Sequence, residues 1–253
     1  MDRVVAALAG QQDELTTLLA GLDGAGWSTP TPRCPGWDVA DVVLHMVQSH
    51  EMAIASATGS GFAGVVARLT AGAWPAATVD ASVALMVANG RGLPPAELLD
   101  RWTSGAARLV ELLDGMNLST RVQWVTGELS ARSMATTRLA EVWIHSGDIA
   151  DAVGVRLPPT ESLREIARLA WRTLPYAFAR AGRTLTGPVA FRLTSPGGDA
   201  WDFVPDEPAT TTITGPATDL CAVAAQRAGA AATSLRGEGP DAQAVLELVR
   251  TYA

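Results

Sequence analysis

The chain contains three histidines, and all three fall in two segments that read as helices. His45 and His50 lie in LHMVQSHE at 44–51, and His145 lies in RLAEVWIHSGD at 138–148. With 3.6 residues per turn, Glu141 and His145 stand at i and i+4 and project from one helix face. Asp148, three residues beyond His145, falls in the same narrow arc. A carboxylate and an imidazole held in that way can share one divalent cation, and His45 can close the site as a third ligand. Three N/O protein ligands with one position left to water is the arrangement of a catalytic zinc rather than a structural one. The residues therefore point to a metalloenzyme on a helical bundle.

A Glu–His pair at this spacing also occurs as an ordinary solvated contact on a helix face. Two details favour the interior. Arg138, Glu141, His145 and Asp148 share one side of a helix whose other positions are Leu139, Ala140, Val142, Trp143, Ile144 and Ile149, so the polar stripe is expected to face the interior, where its charges need partners. In addition, no histidine lies outside the two segments. His50 is about 140° around its helix from His45 and cannot share the same ion; it reads as a surface histidine. Cys34 has no histidine beside it in sequence and reads as a buried structural thiol. Cys221, among Leu220, Ala222 and Val223, reads as core. Packing is the default role for Trp37, Trp102, Trp124 and Trp143.

Helices must position these groups, and apolar periodicity predicts them through the first ~155 residues. An amphipathic helix is expected over 4–22, followed by a turn-rich loop, WSTPTPRCPGW at 27–37, whose prolines and glycine prevent helix continuation. Asp38 can cap the next helix, with Asp41 adding favourable charge to its first turn. That helix runs to about residue 57 and carries His45. One or two short helices are expected over 61–92. Pro94 and Pro95 then open a helix ending near Gly115, and the helix bearing Glu141 and His145 runs over 130–153 and stops at Gly154.

From residue 157 the pattern changes. A helix over about 160–181, bent at Pro175, precedes segments with strand character. Residues 188–194 alternate, 195–199 make a turn, and 200–204 can return as a hairpin partner. A β-branched run follows at 210–214, then a helix over 217–227, a strand near 232–236, and a helix over 241–252. The expected architecture is mainly α, with a helical bundle in residues 1–156 and a smaller α+β domain in residues 157–253.

Composition sets the outer limits. At 253 residues and 48% hydrophobic, the chain can bury a sizeable core. Its net charge is −7 and all of its basic residues are arginine. The acidic balance, without a basic stripe to neutralise phosphates, argues against nucleic acid as partner. The two cysteines have no metal-binding spacing. No run approaches the roughly eighteen apolar residues of a membrane span. The first residues also lack a signal peptide's hydrophobic segment. A cytoplasmic monomer or homodimer acting on a small molecule is expected.

The motif PRCPGWDVADVVLH at 32–45, together with RLAEVWIHSGDIADAVG at 138–154, resembles the mycothiol-dependent maleylpyruvate isomerase family within the DinB-like superfamily. The resemblance extends into the second half through ITGPATDLCAVAAQR at 213–227. It implies a DinB-like four-helix bundle fused to an α+β domain. It also implies a divalent metal, usually zinc, held by His45, Glu141 and His145, with mycothiol as thiol cofactor. In such a site the metal lowers the pKa of the bound sulfur, and the thiolate adds to a conjugated double bond or is transferred to an electrophile. Asp148 is expected to accept the free N–H of a ligating histidine, and Arg138 and Trp143 are the expected cofactor contacts. A dicarboxylate substrate would call on arginines, of which Arg91, Arg132, Arg138 and Arg227 are available. Two other readings stay open: a thiol-independent zinc hydrolase, lyase or cyclase, and a non-catalytic binding protein.

Overall fold

The helix that carries His45 is defined at its start by two aspartates. Asp38 accepts a hydrogen bond from Asp41 N at 2.9 Å, and the Asp41 side chain accepts from Asp38 N at 3.4 Å. This reciprocal capping box satisfies two of the amides a helix start leaves unpaired. The computed structural model describes residues 1–74, 78–125 and 127–251. The chain divides into two compact units, Met1–Leu157 and Pro158–Ala253.

The helices of the first unit are α1 (Arg3–Ala20), α2 (Gly24–Trp27), α3 (Val39–Ala57), α4 (Phe62–Leu69), α5 (Val79–Gly90), α6 (Pro95–Asp114) and α7 (Ala131–Val153). Four of them close a bundle: α1 packs on α6 and α7, and α3 packs on the same two. Leu8, Leu15 and Leu19 of α1, Val42, Val43 and Met46 of α3, Trp102 and Leu109 of α6, and Met134 and Leu139 of α7 are all buried. Arg132 at the start of α7 forms a two-pronged ion pair with Asp2, at 3.0 and 2.6 Å, and Asp2 also caps α1. The two ends are thereby tied together. Ser130 caps α7 by accepting from Ser133 N, and Gly154, at φ 71°, ends it in the left-handed conformation that glycine adopts without strain.

One pair of strands in this unit has no counterpart in the sequence reading. β1 (Arg121–Trp124) and β2 (Gly127–Ser130) form an antiparallel hairpin between α6 and α7. Each has only four residues, too few for an alternation to register against the helical signal.

In the second unit, α8 (Leu163–Arg172) and α9 (Leu174–Arg180) replace the single bent helix expected over 160–181. Pro175 sits in the first turn of α9, where its missing N–H costs nothing, so the chain breaks at Thr173 instead of bending. The sheet has the order β4–β3–β5–β6, from β3 (Val189–Thr194), β4 (Ala200–Phe203), β5 (Thr211–Pro216) and β6 (Arg236–Glu238). β3 pairs antiparallel with β4 and parallel with β5, while β5 pairs antiparallel with β6. α10 (Ala217–Ala224) and α11 (Ala242–Leu248) complete the unit. The strand expected near 232–236 lies later, at β6, after a 3-10 turn at Ala230–Ala232. All three β6 residues are exposed, so no apolar alternation marked it. α11 ends at Leu248; Tyr252, the expected end of that helix, lies outside the described residues. No described helix is long and apolar enough to cross a membrane.

Candidate metal centre

α3 and α7 pack together so that His45 Nε2 lies 3.5 Å from Glu141 Oε2, and His145 Nε2 lies 3.7 Å from the same oxygen. The two imidazole rings meet edge to face with centroids 5.1 Å apart. Among the described residues, these three side chains form one of two groups whose ligand atoms all lie within 4.8 Å of one another. Bonds of about 2.1 Å at tetrahedral angles separate ligand atoms by about 3.4 Å, so the spacing suits a zinc-sized ion. Two imidazole nitrogens and one carboxylate oxygen form a donor set for a borderline cation such as zinc.

Asp148, fully buried one turn beyond His145, approaches the other side of the ring: its Oδ2 accepts from His145 Nδ1 at 3.1 Å. The bond fixes the tautomer and leaves Nε2 turned toward Glu141 and His45. His45 has no such support, since its buried Nδ1 has no hydrogen-bond partner among the described residues. Trp37 packs beside the His45 ring at 5.6 Å.

The charges in this group are strongly coupled. Burial pulls the His45 pKa down, opposed by its contact with Glu141. For Glu141 burial acts upward, but the bond to His45 and the positive Arg138 outweigh it, leaving the carboxyl below its ordinary range. Burial would lower His145 too, yet the hydrogen bond to Asp148, the neighbouring Cys34 sulfur and the charge of Glu141 raise it to about 9. Without an ion, a proton on His145 thus balances two carboxylates. A cation entering the group must displace that proton, which makes binding depend on pH.

Arg138 lies one turn before Glu141 and is 93% buried by its 7% residual exposure. Its guanidinium carbon stands 4.9 Å from the centre of the Trp124 ring, and its Nε has no hydrogen-bond partner among the described residues. Burial lowers its pKa, with Glu141 acting in the opposite direction. The other arginines considered from sequence are engaged: Arg91 holds Asp41 at 2.9 and 2.7 Å, Arg132 holds Asp2, and Arg227 donates to Ala225 O at 3.1 Å. Trp143 is half-buried on α7, two residues from both Glu141 and His145 and so on a different face of the helix.

Two residues behave differently from their sequence reading. His50 is a core residue, not a surface one: it is 2% exposed, stacked on Trp102 at 4.7 Å, with Nε2 3.2 Å from Gln12 Nε2. Periodicity could not show this, because α3 is buried on almost every side. Cys34 is half-buried rather than enclosed, and its Sγ lies 3.6 Å from Asp148 Oδ2. The two are 114 positions apart, and no local pattern could have signalled the contact.

The family model for the mycothiol maleylpyruvate isomerase N-terminal domain matches residues 8–150, more than half of the chain and the whole span from His45 to Asp148. The chain belongs to the mycothiol maleylpyruvate isomerase family. Relatives include an uncharacterized protein of Mycobacterium tuberculosis, present in strains H37Rv and CDC 1551. It is 36% identical over 251 residues, 98% of this chain and 95% of the relative. Two crystal structures of the mycothiol-dependent maleylpyruvate isomerase, one of a histidine-to-alanine mutant, superpose with TM-scores of 0.60 and 0.59. Each match covers 94% of both chains, at 18% and 17% identity. At such identities the likeness speaks for the fold: mainly α, with the smaller α+β part that this family carries.

Proposed function

We propose that this family member is a metal-dependent enzyme that uses mycothiol as thiol cofactor, either to isomerise a small electrophilic substrate or to transfer the thiol to it. The observation that carries the reading is the convergence of His45 Nε2, His145 Nε2 and Glu141 Oε2 from two helices. We place the reaction in the cytoplasm, in a monomer or homodimer with neither nucleic acid nor membrane as partner.

In this reading His45, Glu141 and His145 hold the ion, zinc by the character of the donors. Bound there, it supplies Lewis acidity that lets a coordinated sulfur exist as thiolate at neutral pH. The chain's own residues do the rest. Asp148 accepts the His145 Nδ1 proton and keeps that ring aimed at the centre. Arg138, held against Trp124, contributes a fixed positive charge next to Glu141. Its interaction with Glu141 is through the field alone, with no ion pair within 4.0 Å among the described residues, so its N–H groups are available to an anionic group of the cofactor or substrate. Trp143 is the second cofactor contact. Burial of the group limits competing water and strengthens each electrostatic interaction within it.

Metal analysis of the purified protein tests the ligand set. About one equivalent of divalent metal is expected in the wild type and a loss of most of it in His145→Ala; equal content in both would remove the assignment. Thermal unfolding with added mycothiol tests the cofactor, because a ligand of the folded state at a hundred times its dissociation constant stabilises by about 2.7 kcal/mol. Metal present with no mycothiol response would keep the centre and discard the thiol.

A further inference from the structure

We propose that Cys34 is a positioning residue of this centre, its thiol donating to Asp148 Oδ2, the oxygen that also accepts the His145 Nδ1 proton. The inference rests on the metal-centre reading above and adds a residue that neither the ligand set nor the fold requires.

The thiol is held by a braced loop. Thr31 donates from both N and Oγ1 to Trp37 O at 2.9 Å, Cys34 N donates to Thr31 O at 3.0 Å, and Trp37 N donates back to Cys34 O at 3.0 Å. Pro30 bridges to Asp38, the cap of α3, and Arg91 holds Gly36 O and Asp41 together. Gly36 supplies the positive φ, 82°, on which the turn depends. The Cys34 contact therefore joins the segment that launches the His45 helix to the helix that carries Glu141 and His145. Asp148 is 2% exposed, so water has little access to replace a missing donor. Asp148 receives both donors on one oxygen, and the thiol steadies the carboxylate that aims the ring.

Direct ligation is the competing role, since Cys34, His145 and Asp148 also bring ligand atoms within 4.8 Å of one another. Chemistry disfavours it. His145 Nδ1 is already committed to Asp148 at 3.1 Å, and Nε2 faces Glu141. An ion at Cys34 would break the Nδ1 bond to Asp148 that orients the ring and would leave the facing His45 and Glu141 unused.

The test is zinc affinity, measured by competition with a chromophoric chelator, in wild type, Cys34→Ala, Cys34→Ser, Asp148→Asn and the Cys34→Ala/Asp148→Asn double variant. Loss of a supporting residue around a metal typically weakens binding 10–100-fold, so Asp148→Asn is expected in that range. Cys34 acts one bond further out, and its removal is expected to weaken binding about fivefold. Cys34→Ser keeps a donor and recovers most of that loss, and Cys34→Ala adds nothing in the Asp148→Asn background. The cobalt-substituted protein shows no sulfur-to-metal charge-transfer band from Cys34. Unchanged zinc affinity in Cys34→Ala, equal loss in the serine variant, additive effects in the double variant, or a charge-transfer band abolished by Cys34→Ala each overturns the proposal. Circular dichroism of the metal-free variants identifies any that fail to fold. A wild type that binds no metal would instead remove the metal-centre reading, and this inference with it.

Discussion

Replacing Arg138 by methionine should make the metal-free protein more stable while weakening its hold on an anionic ligand. Arg138 is 7% exposed, its Nε has no hydrogen-bond partner among the described residues, and its guanidinium carbon lies 4.9 Å from the centre of the Trp124 ring. Exchanging a whole buried ion pair for apolar residues of similar volume is often neutral or stabilising by about 1–4 kcal/mol, whereas removing one charge costs about 3–5 kcal/mol if it strands the other. Loss of the contact with the indole face takes back about 1 kcal/mol. Glu141 does not lose its last partner, since His45 and His145 both face its Oε2. The net expectation for Arg138→Met is a gain of about 1–3 kcal/mol in the metal-free state. Urea unfolding followed by far-UV circular dichroism measures it, as a rise in midpoint at constant slope. Calorimetric titration with a small carboxylate supplies the second arm, with affinity expected to fall at least tenfold. A variant that loses more than about 1 kcal/mol would show that Arg138 is a structural cation with its charge already satisfied, and the reasoning would fail.

Two further outcomes concern the elements around the centre. His50 has its pKa lowered from 6.5 to about 3 by burial and then by Arg138, so the folded protein keeps it neutral where the unfolded chain takes up a proton. Its contribution is present above about pH 6.5 and lost on acidification, by up to about 2 kcal/mol between pH 6.5 and 5. His45 is shifted the same way and adds to the slope, while His145, raised to about 9, opposes it by gaining stability as pH falls from about 9 to 6.5. His50→Gln should flatten the stability profile below pH 6.5; an unaltered slope would place the proton uptake elsewhere. Asp38→Ala removes the cap of α3 and should cost about 1–2 kcal/mol in urea unfolding, with metal content per chain unchanged.

Features governed by local chemistry were readable before any coordinates. Asp38 and Asp41 marked the start of α3, Pro95 opened α6, Gly154 ended α7, and the β3–β4 hairpin followed from alternation on either side of a glycine-rich turn. His45, Glu141 and His145 were legible as a set because helical spacing placed two of them on one face. The missing features are those fixed at long range. Cys34 meets Asp148 only because the loop before α3 folds against α7, and Trp124 meets Arg138 only because an unforeseen hairpin brings it there. His50 shows the same limit from another direction: a helix enclosed all round has no polar face from which exposure can be read.

That enclosure of α3 has a consequence for how ligands are received. His45 is itself buried, and its ring packs against those of Trp37 and His145, at 5.6 and 5.1 Å between centroids. Its ring is therefore confined by close packing, and little torsional freedom remains to be surrendered when something docks. Affinity at such a position is set chiefly by the incoming group's own desolvation and fit, because the scaffold has already been ordered by the folding of the bundle.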